Sequence, residues 1–356
     1  MKKAGRRLPE RVNIMPNIML TYRCNLCCPY CFANEFVNRT DCDITEESFR
    51  KAVKFAADKP KTTIGLIGGE PTIHPQLPEF IRILADEPNV ENVMVYTNGL
   101  AMEPLLKAMY EPGVGAKVRI LVNCNSPKVM GEHNYTRLKE SLDLAFGTYK
   151  MGRQIKFGLN LYNNEFDYSF IKELLVRYGQ RQLRISLTVP DFGVCGRVDP
   201  VENFKSRKDY LMGFFKEMDR IGVMPYYDCN KPPQCIWTDE EWAWLCWYEN
   251  KHRSVASNLT DQTSRCQPVV DILPDLRAVR CFGMSDFEKV KISDFECIDD
   301  LQNYFRNRVD AEAFRVCGSD ACKDCYDRKT RNCSGGCLGY KQEQIRQANE
   351  MVNQLS

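Results

Sequence analysis

Histidine is scarce in this chain. Only His74, His133 and His252 occur among 356 residues, and none stands at a spacing that pairs it with another ligand. Imidazole is the usual proton carrier near neutral pH and the commonest metal ligand, so no histidine site is expected and no catalytic acid or base is assigned. His74, in Pro71-Thr72-Ile73-His74-Pro75, reads as a loop residue. An excess of one charge is also missing: 49 basic residues face 47 acidic ones, which leaves no electrostatic footprint for nucleic acid. No apolar run reaches the roughly 18 residues of a membrane span. The basic opening MKKAGRRLPERVN leads into no apolar core of a secretory signal. It reads as a short solvated arm, and a cytoplasmic location is expected. Internal repeats and low-complexity runs are lacking.

Cysteine is what the chain has in excess, with 18 residues. Without a secretory context a disulfide framework is not expected, and metal binding or redox chemistry takes its place. Seven cysteines fall in residues 1–195 and eleven between Cys229 and Cys337. This suggests a front domain over 1–190 with one metal site, a connecting segment over 191–228, and a back domain over 229–356 with more. In the front, Cys24-Asn25-Leu26-Cys27-Cys28-Pro29-Tyr30-Cys31 places Cys24, Cys28 and Cys31 at C-x3-C-x2-C spacing. A cubane [4Fe–4S] cluster with three thiolates keeps one iron open. Zinc suits such pairs equally well, and Cys27 permits a rival C-x2-C-x3-C register.

The front two-thirds alternate short β-rich runs with helical patterns. Strands are expected at Asn17–Thr21, Thr62–Ile67, Asn92–Tyr96, Val118–Asn123, Gln154–Leu161 and Leu183–Val189, the last closed by Pro190. Thr45 offers a helix N-cap with acidic residues after it. Further helices are expected near Pro78–Ala85, Pro104–Tyr110, Tyr135–Tyr149, Tyr168–Tyr178 and Asn203–Ile221. Six β/α units imply a parallel sheet and are too few for a closed eight-stranded barrel. The fold class is therefore α/β, an open, partial (β/α)6 barrel. Ligands of such sheets bind at the carboxyl ends of the strands.

Those ends carry the candidate site. Gly68-Gly69-Glu70-Pro71 ends the second strand, where glycines allow close backbone approach and Glu70 supplies a carboxylate for a cation. Thr97-Asn98-Gly99 ends the third strand, Asn123 and Asn125 the fourth, and Asn160 and Arg184 lie in the fifth and sixth. Read alone, the first two are ordinary glycine turns.

Behind residue 228 the periodicity fades, a composition that suits a small domain held by metal clusters. Cys229-x5-Cys235 comes first, then Cys266 and Cys281 with fourteen residues between them, then Cys317 and Cys322-x2-Cys325-x7-Cys333-x3-Cys337. Two zinc ribbons are the bland alternative. Cys246 and Cys297 read as buried small hydrophobes. All four tryptophans lie between Trp237 and Trp247, as core or apolar cover for a cluster.

Together these motifs resemble the radical S-adenosylmethionine (SAM) enzymes with a C-terminal SPASM extension, and the likeness covers the whole chain. It implies a [4Fe–4S] cluster on Cys24, Cys28 and Cys31 whose open iron chelates SAM. Gly68, Gly69 and Glu70 resemble the motif that holds the methionine amino group, and Thr97-Asn98-Gly99 a motif at the SAM-facing rim. Related enzymes carry a Ser and an Asp where this chain has Asn123 and Asn125. The extension implies two auxiliary [4Fe–4S] clusters drawn from Cys229, Cys235, Cys266, Cys281, Cys317, Cys322, Cys325, Cys333 and Cys337. Three departures are visible: Leu276 replaces a glycine, seven residues instead of five separate Cys325 from Cys333, and no cysteine follows Cys337. Cys317 is a substitute ligand, or one iron stays open, while Cys229 and Cys235 are expected at the first auxiliary cluster.

The resemblance implies hydrogen abstraction by a 5′-deoxyadenosyl radical, with modification or cross-linking of a ribosomally made peptide as the leading expectation. Tailoring of a haem-like or other small precursor is the alternative, and a non-catalytic iron–sulfur electron carrier the second. Phe282 stands where sulfatase-maturing relatives carry aspartate. Expected partners are the peptide or small-molecule substrate, a reductant such as flavodoxin or ferredoxin, and a separate peptide-recognition protein, since a leader-binding domain has no room before Cys24. Neither nucleic acid nor membrane is expected.

Overall fold

The computed structural model describes residues 15–31, 33, 37–39, 42–165, 167–189, 198–266, 269–285 and 287–355. Pro190, Cys195 and the N-terminal arm lie outside them. Seven parallel strands follow one another in spatial as in chain order: β1 Pro16–Met19, β2 Thr62–Ile67, β3 Val90–Thr97, β4 Val118–Asn123, β5 Ile155–Leu161, β6 Gln182–Leu187 and β7 Met224–Cys229. Helices α1 Glu46–Ala56, α2 Leu77–Asp86, α3 Glu103–Tyr110, α4 Pro127–Met130, α5 Glu132–Asp143, α6 Ser169–Arg177 and α7 Pro200–Arg220 connect them. The predicted strands and helices of the front all occur, within a few residues at their ends.

The local reasons are legible. Thr45 caps α1 by accepting from the Ser48 N–H at 3.1 Å, leaving Phe49, Ala52, Val53 and Ala56 on one buried stripe. Phe49 stacks on Phe80 of α2 with centroids 4.1 Å apart. Buried rings and aliphatic chains of this kind each contribute about 1.5–3 kcal/mol and fix the helical layer against the sheet.

The sheet does not stop where the front domain was expected to end. β7 lies in the expected connecting segment and pairs with β6. At the other edge, β8 Val270–Ile272 pairs in parallel with β1, and β9 Arg277–Val279 and β10 Lys289–Lys291 extend it antiparallel. The result is one ten-stranded sheet, with the strand that feeds the cysteine loop flanked by β2 and by β8. α8, Asp239–Lys251, follows with a Thr238 and Glu241 capping box. Leu245 and Tyr248 face its core side, so Cys246, one residue round the helix, is exposed rather than buried. Trp237 packs near Phe215, Trp244 near Tyr248, and Trp247 is half exposed beneath Lys251. Among the described residues no helix is long and apolar enough to cross a membrane.

Candidate functional site

The carboxyl ends of β1 to β4 gather the front motifs into one knot of hydrogen bonds. The segment after β1 bridges antiparallel to Asp43 at Thr21, and Gly69 N–H donates to the Thr21 carbonyl at 2.8 Å and Glu70 N–H to the Arg23 carbonyl at 2.9 Å. A Cβ on Gly69 would sit 2.2 Å from the Arg23 carbonyl oxygen, and one on Gly68 2.8 Å from that of Thr21. The two glycines thus let the chain approach its own cysteine loop, a use that sequence reasoning had assigned to a ligand.

Glu70 is buried, 1% exposed. Its Oε1 accepts from Thr72 N–H at 3.0 Å, Thr72 Oγ1 at 2.6 Å and Thr97 Oγ1 at 2.7 Å, and its Oε2 from Asn98 N–H at 2.7 Å. Burial raises its pKa while these donors pull it down. Oε1 takes three donors and Oε2 one, which locks the end of β2 to the end of β3 and leaves Oε2 able to accept again. Asn98 in turn donates to Asn25 Oδ1 at 2.6 Å, joining Thr97-Asn98-Gly99 to the cysteine loop. Gly99 has φ +83°, and a Cβ there would strike Leu138 at 2.5 Å.

Within the loop, Cys24, Cys28 and Cys31 are part-buried while Cys27 is exposed. Asn125 Nδ2 lies 3.8 Å from the Cys28 sulfur as its donor, and Tyr30 donates to Asn125 Oδ1. Tyr30 also stacks on Tyr162 at 5.2 Å. Burial pushes the Cys24 thiol up to about 12 and that of Cys28 to about 11. These thiols are therefore protonated near neutral pH without metal, and metal binding must displace their protons. Among the described residues no trio of Cys, His, Asp or Glu converges tightly enough for a single metal ion. A cubane spreads its thiolates over separate irons, and the three grouped thiols with the Asn125 donor suit that group. For the adenosyl ligand, Asn123 Oδ1 is a buried acceptor with no partner, placed at the end of β4 where a hydroxyl would satisfy it. His74 is buried, its ring between Ile44 O and Gln76 N–H, a structural role.

Further along, Arg184 donates to Asn160 Oδ1 at 2.8 Å and, by Nε and Nη2, to Asp228 Oδ2 at 3.0 and 2.7 Å. Tyr96 lies within electrostatic range of Arg184 and Asp228. This fixes the parity of Arg184, which sequence left open, and adds Tyr96, Asp228 and Tyr226 to the candidate site. For Tyr96 the signal was available, an aromatic residue on an expected strand; Tyr226 and Asp228 lie on β7, which was not expected, with Arg184 paired in register to Tyr226.

The back cysteines sort into two sets. Cys337 interacts with Cys229 and Cys266, and Cys281 with Cys266 and Cys229. Cys322 is in range of Cys317, Cys333, Cys235 and Cys325, and Cys235 of Cys333 and Cys325. Asn230 Oδ1, beside Cys229, accepts from Cys337 N–H at 3.3 Å, and Ser264, which donates from Oγ to Lys231 O at 2.9 Å and bridges to Cys333, sets the two groups side by side. The pair Cys229 and Cys235, expected at one site, is divided between two by the turn at Gln234–Ile236.

Residues 18–150 match the Radical SAM superfamily model. Among curated proteins, the GTP 3′,8-cyclase of Chlorobaculum tepidum is 35% identical over 27% of this chain and 29% of its own length. The 7,8-dihydro-6-hydroxymethylpterin dimethyltransferase of Methanocaldococcus jannaschii is 36% identical over 30% of this chain and 21% of its own. The chain thus spans well under half the length of these relatives. Among solved structures, anSMEcpe with bound AdoMet and Kp18Cys peptide matches with TM-score 0.60 and 16% identity, covering 95% of this chain and 99% of that one. Streptococcus suis SuiB bound to S-adenosylmethionine matches with TM-score 0.59 and 15% identity, over 91% and 73%. These two likenesses are of fold.

Proposed function

This chain belongs to the radical SAM superfamily through residues 18–150, and on that premise we propose an enzyme that oxidatively modifies a peptide, with two auxiliary clusters in its back half. The observation that carries this reading is the sorting of the back cysteines into a set of four and a set of five. Cys24, Cys28 and Cys31 hold the front cluster, and Asn123, Asn125 and Asn160 line the strand ends beside it. When bound, a [4Fe–4S] cluster and SAM supply a 5′-deoxyadenosyl radical that abstracts hydrogen. Glu70 orders the loop through Thr97 and Asn98, and Tyr30 and Tyr162 wall the thiols from water. Cys229, Cys266, Cys281 and Cys337 hold one auxiliary cluster. Cys235, Cys317, Cys322, Cys325 and Cys333 supply five thiols for the other, so the missing cysteine after Cys337 leaves no shortage.

Replacing Cys322 and Cys325 by alanine tests the division of labour. In a soluble, monodisperse variant, dithionite-reduced protein still forms 5′-deoxyadenosine from SAM while product formation stops. Loss of 5′-deoxyadenosine with the front cluster intact sinks the reading, and so does normal turnover. A second reading, tailoring of a small precursor, draws on the Arg184 and Asp228 pair facing Asn160, a layout suited to a polar molecule. Its support also comes from the nucleotide and pterin chemistry named for the curated relatives.

A further inference from the structure

The first auxiliary set contains a cation that the grouping of cysteines does not explain. Arg280, between β9 and Cys281, is 1% exposed, the largest fully buried side chain among the described residues. Its Nε donates to Asp310 Oδ1 at 2.9 Å, but its Nη2 is buried with no hydrogen-bond partner. A guanidinium nitrogen left so is costly, about 1–3 kcal/mol or more for a charged group, and native chains seldom tolerate it without reason. The charged groups facing it are the thiols of Cys266 and Cys281 and the carboxylates of Asp310 and Asp271. Asp271 is itself engaged by Asn17 Nδ2 at 2.7 Å. What the orphan donor lacks is an acceptor on the cysteine side.

We propose that Arg280 sets the reduction potential of the first auxiliary cluster, donating from Nη2 to a sulfur of the bound centre and holding a positive charge against it. This rests on the auxiliary-cluster reading above. Four thiolates give such a centre a net negative charge that grows by one on reduction. Hydrogen bonds to sulfur, net charge and solvent exposure set cluster potentials, and Arg280, itself buried, acts on the first two. It touches neither the SAM site nor the strand-end amides, so its role is to position charge.

The experiment uses full-length, anaerobically reconstituted protein carrying Cys24, Cys28 and Cys31→Ala, so that only back-half clusters remain. Iron and sulfide are counted, and the clusters are titrated potentiometrically by electron paramagnetic resonance. In Arg280→Gln one of the two clusters is expected to show a reduced-to-oxidised ratio about tenfold lower at a given potential, a shift of about 59 mV for one electron. Arg280→Lys, which keeps the charge, recovers part of it. Asp310→Asn, which removes the competing carboxylate, shifts the same cluster the opposite way and serves if Arg280→Gln loses its cluster. Potentials unmoved in Arg280→Gln and Asp310→Asn, with iron intact, overturn the inference and leave the cluster reading standing. Parent protein without back-half iron overturns the cluster reading itself.

Discussion

The front and back sites are built on opposite principles. In the front, short motifs from three strand ends satisfy one another: Glu70 takes four donors, Asn98 reaches Asn25, and Asn125 sits on Cys28. In the back, three-residue strands and short turns gather thiols around Arg280 and Lys341, both about 1% exposed. Lys341 donates to the Ser334 carbonyl at 2.5 Å, whereas Arg280 keeps an unpartnered nitrogen. The front is preorganised by its own hydrogen bonds; the back is completed by what it binds.

The largest way to break this comparison is to withhold iron. Metal-free protein is expected to keep slow amide exchange in β2 to β5 and to lose it across 224–341, because ligation supplies folding energy there. Uniform loss or uniform retention across both halves removes the distinction. Next comes the register of the front loop. Cys28→Ala is expected to abolish reductive SAM cleavage, and Cys27→Ala, which changes an exposed thiol, to keep the cluster's absorbance and the cleavage. Equal losses in both would falsify the ligand set Cys24, Cys28 and Cys31.

Smaller in effect, and at the seam between the halves, is Asp271. Burial first of all holds its pKa up at about 6, although Asn17 and Arg280 oppose it. Because the folded value is raised, the unfolded chain gives up this proton at lower pH. The carboxyl's contribution to stability is therefore complete below about pH 4 and lost by pH 6. Asp271→Asn is expected to stabilise the iron-loaded protein, in which this region is folded, by up to about 3 kcal/mol at pH 7, with the gain shrinking in denaturant titrations as pH falls toward about 5. A constant difference across that range would mean packing rather than charge. At the small end, Trp247→Ala, at a half-exposed position, changes stability by about 0.5 kcal/mol or less.

How much of this was readable from the chain follows the same division. Six strands and their helices were legible because each runs for four or more residues with clear periodicity, and Thr45 announces its helix. β7 was not, since Met224-Pro225-Tyr226-Tyr227-Asp228-Cys229 places a proline near its start and polar residues at its end. β8, β9 and β10, three residues each, are too short for any pattern to reveal. Among the site residues, spacing left Cys27 as a rival to Cys28 and the family likeness chose Cys24, Cys28 and Cys31; in the structure Cys27 is exposed and the other three are part-buried. The parting of Cys229 from Cys235 was invisible, because a five-residue gap does not say that a 3₁₀ turn aims its ends at different neighbours. Arg280 escaped notice because a single arginine beside a cysteine carries no pattern.

The continuity of the sheet has a consequence for how such a chain can be divided. β8 covers the free side of β1, and β7 that of β6. A fragment ending before residue 224 would leave two flat, apolar margins, Asn17-Ile18-Met19 and Leu183-Arg184-Ile185, with unpaired peptide groups. Exposed edges of that kind recruit other chains. The back half therefore serves as a chaperoning rim for the front, and a laboratory preparation of the barrel alone should self-associate through those margins. Modularity in the sequence is in this molecule a matter of chemistry, and solubility belongs to the whole sheet.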